Sequence, residues 1–520
     1  MTGSGMQVRC LASTRISDWR TLKQREHGAR DYESDADRLS EDLVSYEEEQ
    51  VTGEGLKASS PATTSGLREL APCSPSSAED SERSVEETLD QATHSTSASL
   101  PTKHRQHTSC IQDAQLSPDG TCIFTSDYDR TFSVYPIDTG ILSYNESRPL
   151  QTYARLTSPN PIWAFAASPK FNLLDASSTH VLLSRRDSYI TLHNALWDIT
   201  QSYDATDKAN PQSNPVDISK PITSYKLIDH LTEAVVAPLS LAYNHPATHF
   251  FAGKQNSIAI FDLEHTTDPI HTIPTIPSKR NKLKGGGRGF KGWISALALS
   301  PPSTTAQDGL LAAGARTRYI GIYDALSGGE VTHFSLPGTI DGQKVRNARL
   351  AHVMGDGVSQ LKWSPCARYL YVAERQSDAL LIYDVRNFAL CLAYCAGRNA
   401  LTKQKLGFDV WNAGTASPYD IEAISHEVWA GGVDGAVRIW RDPCMKEGAV
   451  QADEVVKVHD GSMPVVSTLV HASGSLAVAA CGKIEVDAGQ GEAEDGGVAR
   501  GGGLRPRIRE NGSLDILGLG

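Results

Sequence analysis

No stretch of the 520 residues approaches the roughly 18 uninterrupted apolar residues that a membrane-spanning helix needs. The amino terminus, MTGSGMQVRCLASTRISDWR, has no apolar core like that of a secretory signal, so we expect an intracellular protein with no membrane partner. The 9 cysteines are odd in number and scattered, without CxxC pairs or the Cys/His spacing that zinc requires, and read as reduced thiols that mostly fill core positions. No GxxxxGK[ST] loop holds nucleotide phosphates, no GxSxG elbow presents a serine, and the 16 histidines form no HExxH. These absences nominate no catalytic residue, metal, cofactor or small-molecule substrate, and a non-enzyme is expected. A net charge of -12 argues against a chain that coats nucleic acid indiscriminately, while leaving room for a local basic site.

Residues 1–105 differ from the rest. They hold 12 Lys or Arg against 19 Asp or Glu, with Ser/Thr-rich runs such as ASSPATTSG and no sustained apolar period, so a disordered acidic tail is expected there. Beyond Cys110 the texture changes to short β-like runs.

One pattern recurs seven times, a polar turn followed by an alternating strand: DYDRTFSVYPI (127–137), RRDSYITLHNA (185–195), KQNSIAIFDL (254–263), RTRYIGIYDAL (316–326), QSDALLIYDVR (376–386), GVDGAVRIWRD (432–442) and ENGSLDILGLG (510–520). The turn residues are Asp129, Asp187, Asn256, Thr317, Asp378, Asp434 and Asn511, a repeat of 56 to 77 residues. That exceeds the roughly 40 to 45 of a compact WD repeat, so the excess lies in loops. Each copy has two lead-in strands, as in VSQLKWSPCARYLYVAE, and a following one, as in EVTHFSL (330–336), ALCLAYC (389–395) and EVVKVHD (454–460). Four strands in seven repeats predict an all-β, seven-bladed propeller over residues 106–520, which leaves only short, protected edges. A turn Asp or Asn accepts bonds from nearby amides, and the aromatics Phe261, Tyr323, Tyr383 and Trp440 are wedges between blades. The seventh copy ends without an outer strand, and residues near His104 to Thr108 are the candidates to supply it.

Loops present contacts while strands form the scaffold. Insertions are expected at about 197–220, 277–292 and 486–510, the first two polar spacer and basic linker, the last a Gly-rich extension. The second, SKRNKLKGGGRGFKGW (278–293), gathers Lys279, Arg280, Lys282, Lys284, Arg288 and Lys291 around Phe290 and Trp293. Basic groups of this kind neutralise phosphates, and Phe290 or Trp293 would stack on an unpaired base. A nuclear import signal or a plain solvated loop has the same composition.

Particular residues carry a resemblance. The run GVSQLKWSPCARYLYVAERQSDALLIYDVRN (357–387), then TKQKLGFDV (402–410) and GGVDGAVRIW, resembles the fifth and sixth blades of the WD-repeat family of the telomerase Cajal body protein. The matching positions are Gly357, Leu361, Arg375, Asp378, Leu381, Asp384, Arg386, Thr402, Gln404, Phe408 and Asp409, with departures at Tyr383, Lys403 and Lys405. SPDGTCIFT (117–125), YKLIDHLTEA (225–234) and GWISALALSP (292–301) extend the similarity over about residues 108–483.

The resemblance implies a nuclear scaffold, Cajal body-like or nucleoplasmic and also cytoplasmic in part, that binds small nuclear or box H/ACA small Cajal body RNAs and RNP proteins as a monomer within a larger complex. Telomerase RNP assembly and, in a yeast relative, pre-mRNA splicing are the roles it carries. It implies Arg375, Arg386, Lys403 and Lys405 as RNA contacts beside the basic insertion. Arg375 and Arg386 also stand where Asp378 or Asp384 would pair with them. The alternative is a protein-only WD interaction hub, a ligase adaptor or a chromatin-complex subunit.

Overall fold

Strands of four to six alternating residues cannot each bury an apolar face alone, and this chain buries them by stacking sheets around an axis. The computed structural model describes residues 6–15, 108–199, 215–229, 231–264, 268–276, 289–303, 306–340, 343–345, 350–415, 424–459, 461, 463–487 and 507–520. They fall in one compact unit, Met1–Gly28 with Thr108–Gly520; the other, Ala29–His107, lies outside the described residues. Seven antiparallel sheets follow one another in chain order, a seven-bladed β-propeller. Strands a to d run outward from the axis; in blade five they are Val358–Trp363, Tyr369–Glu374, Leu380–Asp384 and Ala393–Cys395.

All seven repeated stretches supply strand c: Thr131–Pro136, Ile190–Asn194, Ser257–Asp262, Tyr319–Asp324, Leu380–Asp384, Ala436–Arg441 and Arg507–Leu519. The wedge aromatics Phe261, Tyr323, Tyr383 and Trp440 are buried in clusters that bridge neighbouring blades. Five of the innermost strands carry a register shift after their first residue, and those residues, Ile111, Ile162, Ile294, Val358 and Val465, are all buried. A bulge there re-aims the start of the strand into the core.

The b–c turns take up left-handed backbone at Arg130, Asp187, Asn256, Arg318, Gln376 and Gly435. Asp and Asn adopt it at little cost, so Asp187 and Asn256 occupy it themselves, while Asp129, Thr317 and Asp434 precede the residue that does. Three outer edges are covered by a short parallel strand from the next blade: Arg148–Pro149 on blade seven, Val216–Asp217 on blade one and Gly448–Val450 on blade five. The 197–220 insertion thus ends in an edge cover rather than in spacer alone.

Two expectations are corrected. The outer strand of blade seven is Val8–Ser13, antiparallel to Arg507–Leu519, not a segment near Thr108; His104 to His107 lie outside the described residues. The expected tail of residues 1–105 therefore contributes a propeller strand at its start. Leu11 is its anchor, buried at 1% exposure among Ile111, Tyr135, Val478 and Ile516. Second, Asn511 is not at a turn. It pairs with Lys483 inside a ladder that continues to Asp487 and Arg507, so part of the 486–510 insertion is strand. Gly512 there allows a close approach, because a Cβ would lie 1.8 Å from the Ser109 carbonyl oxygen.

Candidate nucleic-acid interface

In blades one to six the b–c turn and the d–a connection to the next blade lie at the same end of the axis, and in blades three and five a turn side chain bonds to that connection. Asn256 Oδ1 accepts from the Gly292 amide at 2.8 Å, and Asp378 Oδ1 accepts from the Ala400 amide at 2.6 Å. Asp434 works differently: its carboxylate accepts from the Arg438 guanidinium at 2.7 and 3.1 Å, which holds it below the usual carboxylate range against burial. Asp129 lies 3.8 Å from Arg155. Asp187 lies 3.4 Å from its neighbour Arg186.

Between blades five and six the connecting run of residues 402–407 reaches across the mouth of the axial channel, and Phe408 and Asp409 open the innermost strand of blade six. Gln404 Nε2 donates to the Gly482 carbonyl of blade seven at 3.1 Å, and Lys405 Nζ lies 2.7 Å from Asp113 of blade one. Asp409 accepts from Lys362 of blade five at 2.5 Å and from the Val470 amide of blade seven at 2.8 Å. Phe408 is buried and its amide donates to Gln360 Oε1. Thr402 accepts from the Gln376 and Gln404 amides. Thr402, Gln404 and Lys405, which carry part of the family likeness, are therefore braces of the channel mouth, with the charge of Lys405 matched by Asp113, whereas Asp409 braces the far ends of the innermost strands at Lys362 and Val470.

Two of the sequence-nominated cations meet at this mouth. Arg375 ends strand b of blade five and donates to the Lys403 carbonyl oxygen at 2.5 Å, while the Lys403 side chain is exposed. Arg375 is pulled down to about 10, first by burial and then by the nearby charge of Arg316. Arg316 was read in sequence only as part of the RTRYIGIYD turn, and its effect on Arg375 is what that reading missed. Arg386 does not join them. It follows strand c, which runs antiparallel to strand b, so it lies at the opposite face, where it holds Asp384 at 2.6 Å.

Phe290 is corrected as a stacking platform for bases. It is buried at 3% exposure, its ring stacked on Tyr319 at 5.8 Å, and Thr275 fixes its backbone from both sides. Lys291 next to it is exposed, and Trp293 is half-buried. Lys279, Arg280, Lys282, Lys284 and Arg288 lie outside the described residues.

Beneath the face lie groups that hold the scaffold. Arg318 and Glu374 form a buried two-pronged pair at 2.7 and 2.8 Å, completed by Thr339 and the Gly355 amide. Arg398, also buried, donates to the Leu406 and Gly407 carbonyls at 2.7 and 2.8 Å and is pulled down to about 10 by burial. Among the described residues one group has the donor types of a metal centre: His459, Cys481 and Asp515. His459 Nε2 lies 3.0 Å from Asp515 and 3.1 Å from Ser513, and the Arg15 guanidinium stands 3.4 Å from Nδ1. A guanidinium only donates, so Nδ1 accepts and Nε2–H is directed at Asp515. The network is complete as a brace between the closing strand and blade seven, and Arg15 opposes a second cation there. The eight described cysteines are free thiols, as expected, and burial pushes Cys110 up to about 12.

The family description "WD domain, G-beta repeat" matches residues 99–135, which include the first three strands of blade one. The chain is a seven-bladed β-propeller with one matched WD repeat in its first blade. The propeller is 23% identical over 341 residues to "Guanine nucleotide-binding protein negative regulator 1" of Schizosaccharomyces pombe, covering 65% of this chain and 72% of that one. It is 21% identical over 333 residues to "Telomerase Cajal body protein 1" of Mesocricetus auratus, covering 64% of this chain and half of that one. WD-repeat propellers are scaffolds whose partners vary widely, so architecture alone assigns no client.

Proposed function

We propose that this propeller is a non-catalytic nuclear scaffold that binds a small nuclear or small Cajal body RNA at the b–c turn face and holds it within an RNP. The observation that carries the reading is the meeting of Arg375, Arg316 and the exposed Lys403 at the channel mouth, on the face from which the basic insertion of residues 278–293 departs. A phosphate beside Arg375 would offset the like charge of Arg316, and Arg presents planar donors suited to it. The likeness to the telomerase Cajal body protein supports an RNP client. An acidic chain with one basic mouth suits a selective RNA partner better than general nucleic-acid coating.

A second reading, the protein-only hub, has its own support. The likeness to a negative regulator of a guanine nucleotide-binding protein spans more of that relative, and its name points to a protein client. Crosslinking the chain to RNA in its own cells and sequencing the recovered RNA separates the two. Box H/ACA RNAs would support the Cajal body role, and U1 RNA or pre-mRNA the splicing role. No RNA above background overturns the RNA reading in favour of the hub.

A further inference from the structure

The strand that completes blade seven stands apart from the rest of the propeller in the chain. Val8–Ser13 is followed by Thr14 and Arg15, and 92 residues, 16–107, separate it from Thr108. Yet the two ends of that span lie side by side. The Thr14 amide donates to the Leu514 carbonyl and Thr14 Oγ1 accepts from the Leu514 amide, both at 3.1 Å, while Ser109 lies against Gly512 two residues away. No geometric need for 92 residues exists at this junction. The other d–a connections do the same job in far fewer, as Thr157 to Ile162 shows.

The contacts that seat the strand resemble those of a bound peptide. It makes a ladder to Asp515–Leu519, a shorter parallel ladder to Arg148–Pro149, and end bonds from Gln7 to Gly520. Its most buried apolar anchor, Leu11, fills a hollow that exists because residue 518 is glycine, a Cβ there standing 3.0 Å from the Leu11 side chain, while Met6 and Val8 pack on the cluster of Trp429 and Leu517. Arg15 adds a polar clasp on His459. Strand addition of this type draws affinity from main-chain bonds and specificity from the side-chain hollow.

We infer that residues 6–15 are a transferable strand, and that the partner able to receive it is a second copy of this chain, by reciprocal exchange of the closing strand. A second copy offers the same ladder, the same Gly518 hollow and the same His459, so exchange changes no contact. A span of 92 residues reaches as far as about 300 Å when extended, which removes any steric bar to it. Exchange between identical elements is a low-cost route to dimers. Its balance is set by concentration: a covalent tether supplies a local concentration on the order of millimolar, so copies brought together at comparable density in an assembly exchange strands. This inference does not rest on RNA binding.

The test uses the full chain with a site-specific protease sequence inserted between Pro61 and Ala62. Two such chains carrying different tags at both ends are concentrated together to about millimolar, then cut and diluted. The expected result is the amino-terminal fragment of one copy retained on the body of the other. In parallel, a fluorescent peptide of residues 6–15 at tens of micromolar should load the cut chain at least 10-fold more than the uncut one, and a Leu11→Asp peptide should load neither. Fragments that stay only with their own bodies overturn the exchange, as does a cut, folded chain that takes up no peptide. If cutting unfolds the propeller, the added peptide must restore its near-ultraviolet circular dichroism; failure to do so is equally fatal.

Discussion

Replacing Glu374 by alanine should destabilise the propeller by about 3 to 5 kcal/mol. Glu374 and Arg318 are 1% and 3% exposed, so neither charge has water to fall back on. The carboxylate takes the guanidinium at both oxygens, at 2.7 and 2.8 Å, and also accepts from the Gly355 amide at 3.2 Å. Without it Arg318 keeps only Thr339 as a side-chain partner among the described residues, and a buried cation loses its carboxylate. The same principle sets the control. Arg318→Met with Glu374→Leu removes both charges and keeps the volume, so the double variant should be far more stable than Glu374→Ala and close to the parent. Urea denaturation of the parent, the single variants and the double variant closes a double-mutant cycle. A Glu374→Ala protein within about 0.5 kcal/mol of the parent, or a double variant equal to the sum of the singles, refutes the reasoning.

Four further outcomes follow from the same geometry. Asp434→Ala should cost about 1 to 3 kcal/mol by stripping the partner from a mostly buried Arg438, and an unchanged melting curve contradicts that. Gly518→Val should cost about 1 to 3 kcal/mol by expelling Leu11, and should make the amino terminus the first site of limited proteolysis. His193 is fully buried and pushed down to about 4 by burial, so the unfolded chain takes its proton below about 6.5 while the folded one does not. Stability therefore falls as pH drops from about 6.5 to about 4, by up to about 3 kcal/mol, and His193→Gln should flatten that slope in a pH series of melts. Under the RNA reading, changing Lys279, Arg280, Lys282, Lys284, Arg288 and Lys291 to Ser should lower RNA affinity and its salt slope by up to about 4 in log units, with the melting temperature unmoved; equal slopes count against the insertion.

The blades were legible because most are written locally: an alternating strand, a polar turn that is Asp or Asn in five of the first six, and in blades three to six an aromatic wedge within a dozen residues. Where the structure departs, a long-range contact has overruled a local signal. Asn511-Gly512 has the composition of a hairpin turn, but Gly512 is there to admit the Ser109 backbone, and Lys483–Asp487 pairs on past it. The closing strand escaped notice for the opposite reason. VRCLAS offers only Val8 and Leu11 as large apolar anchors, and its burial does not alternate, the Arg148–Pro149 strand pairing with the buried Ala12 and Ser13 at its end. Phe290 beside a basic run has the composition of a nucleic-acid contact, yet the stack on Tyr319 and the bond to Thr275 claim it for the core. Composition registers which groups are present and not which way they face.

That distinction bears most on the cations. Lys405 and Arg386 look equivalent to Arg375 in the sequence, but each already has a carboxylate within 2.7 Å, and any ligand would have to compete with it. Arg375 instead faces a backbone carbonyl and the like charge of Arg316, with burial disfavouring its charge further. An incoming anion therefore gains at Arg375 what it would have to displace at the other two. The sensitivity of RNA binding to substitution should accordingly rank Arg375→Gln above Lys405→Gln and Arg386→Gln, measured as affinity at fixed salt. Equal losses at all three would place binding elsewhere than the channel mouth, because only a diffuse field treats a carbonyl-bonded cation and carboxylate-paired ones alike.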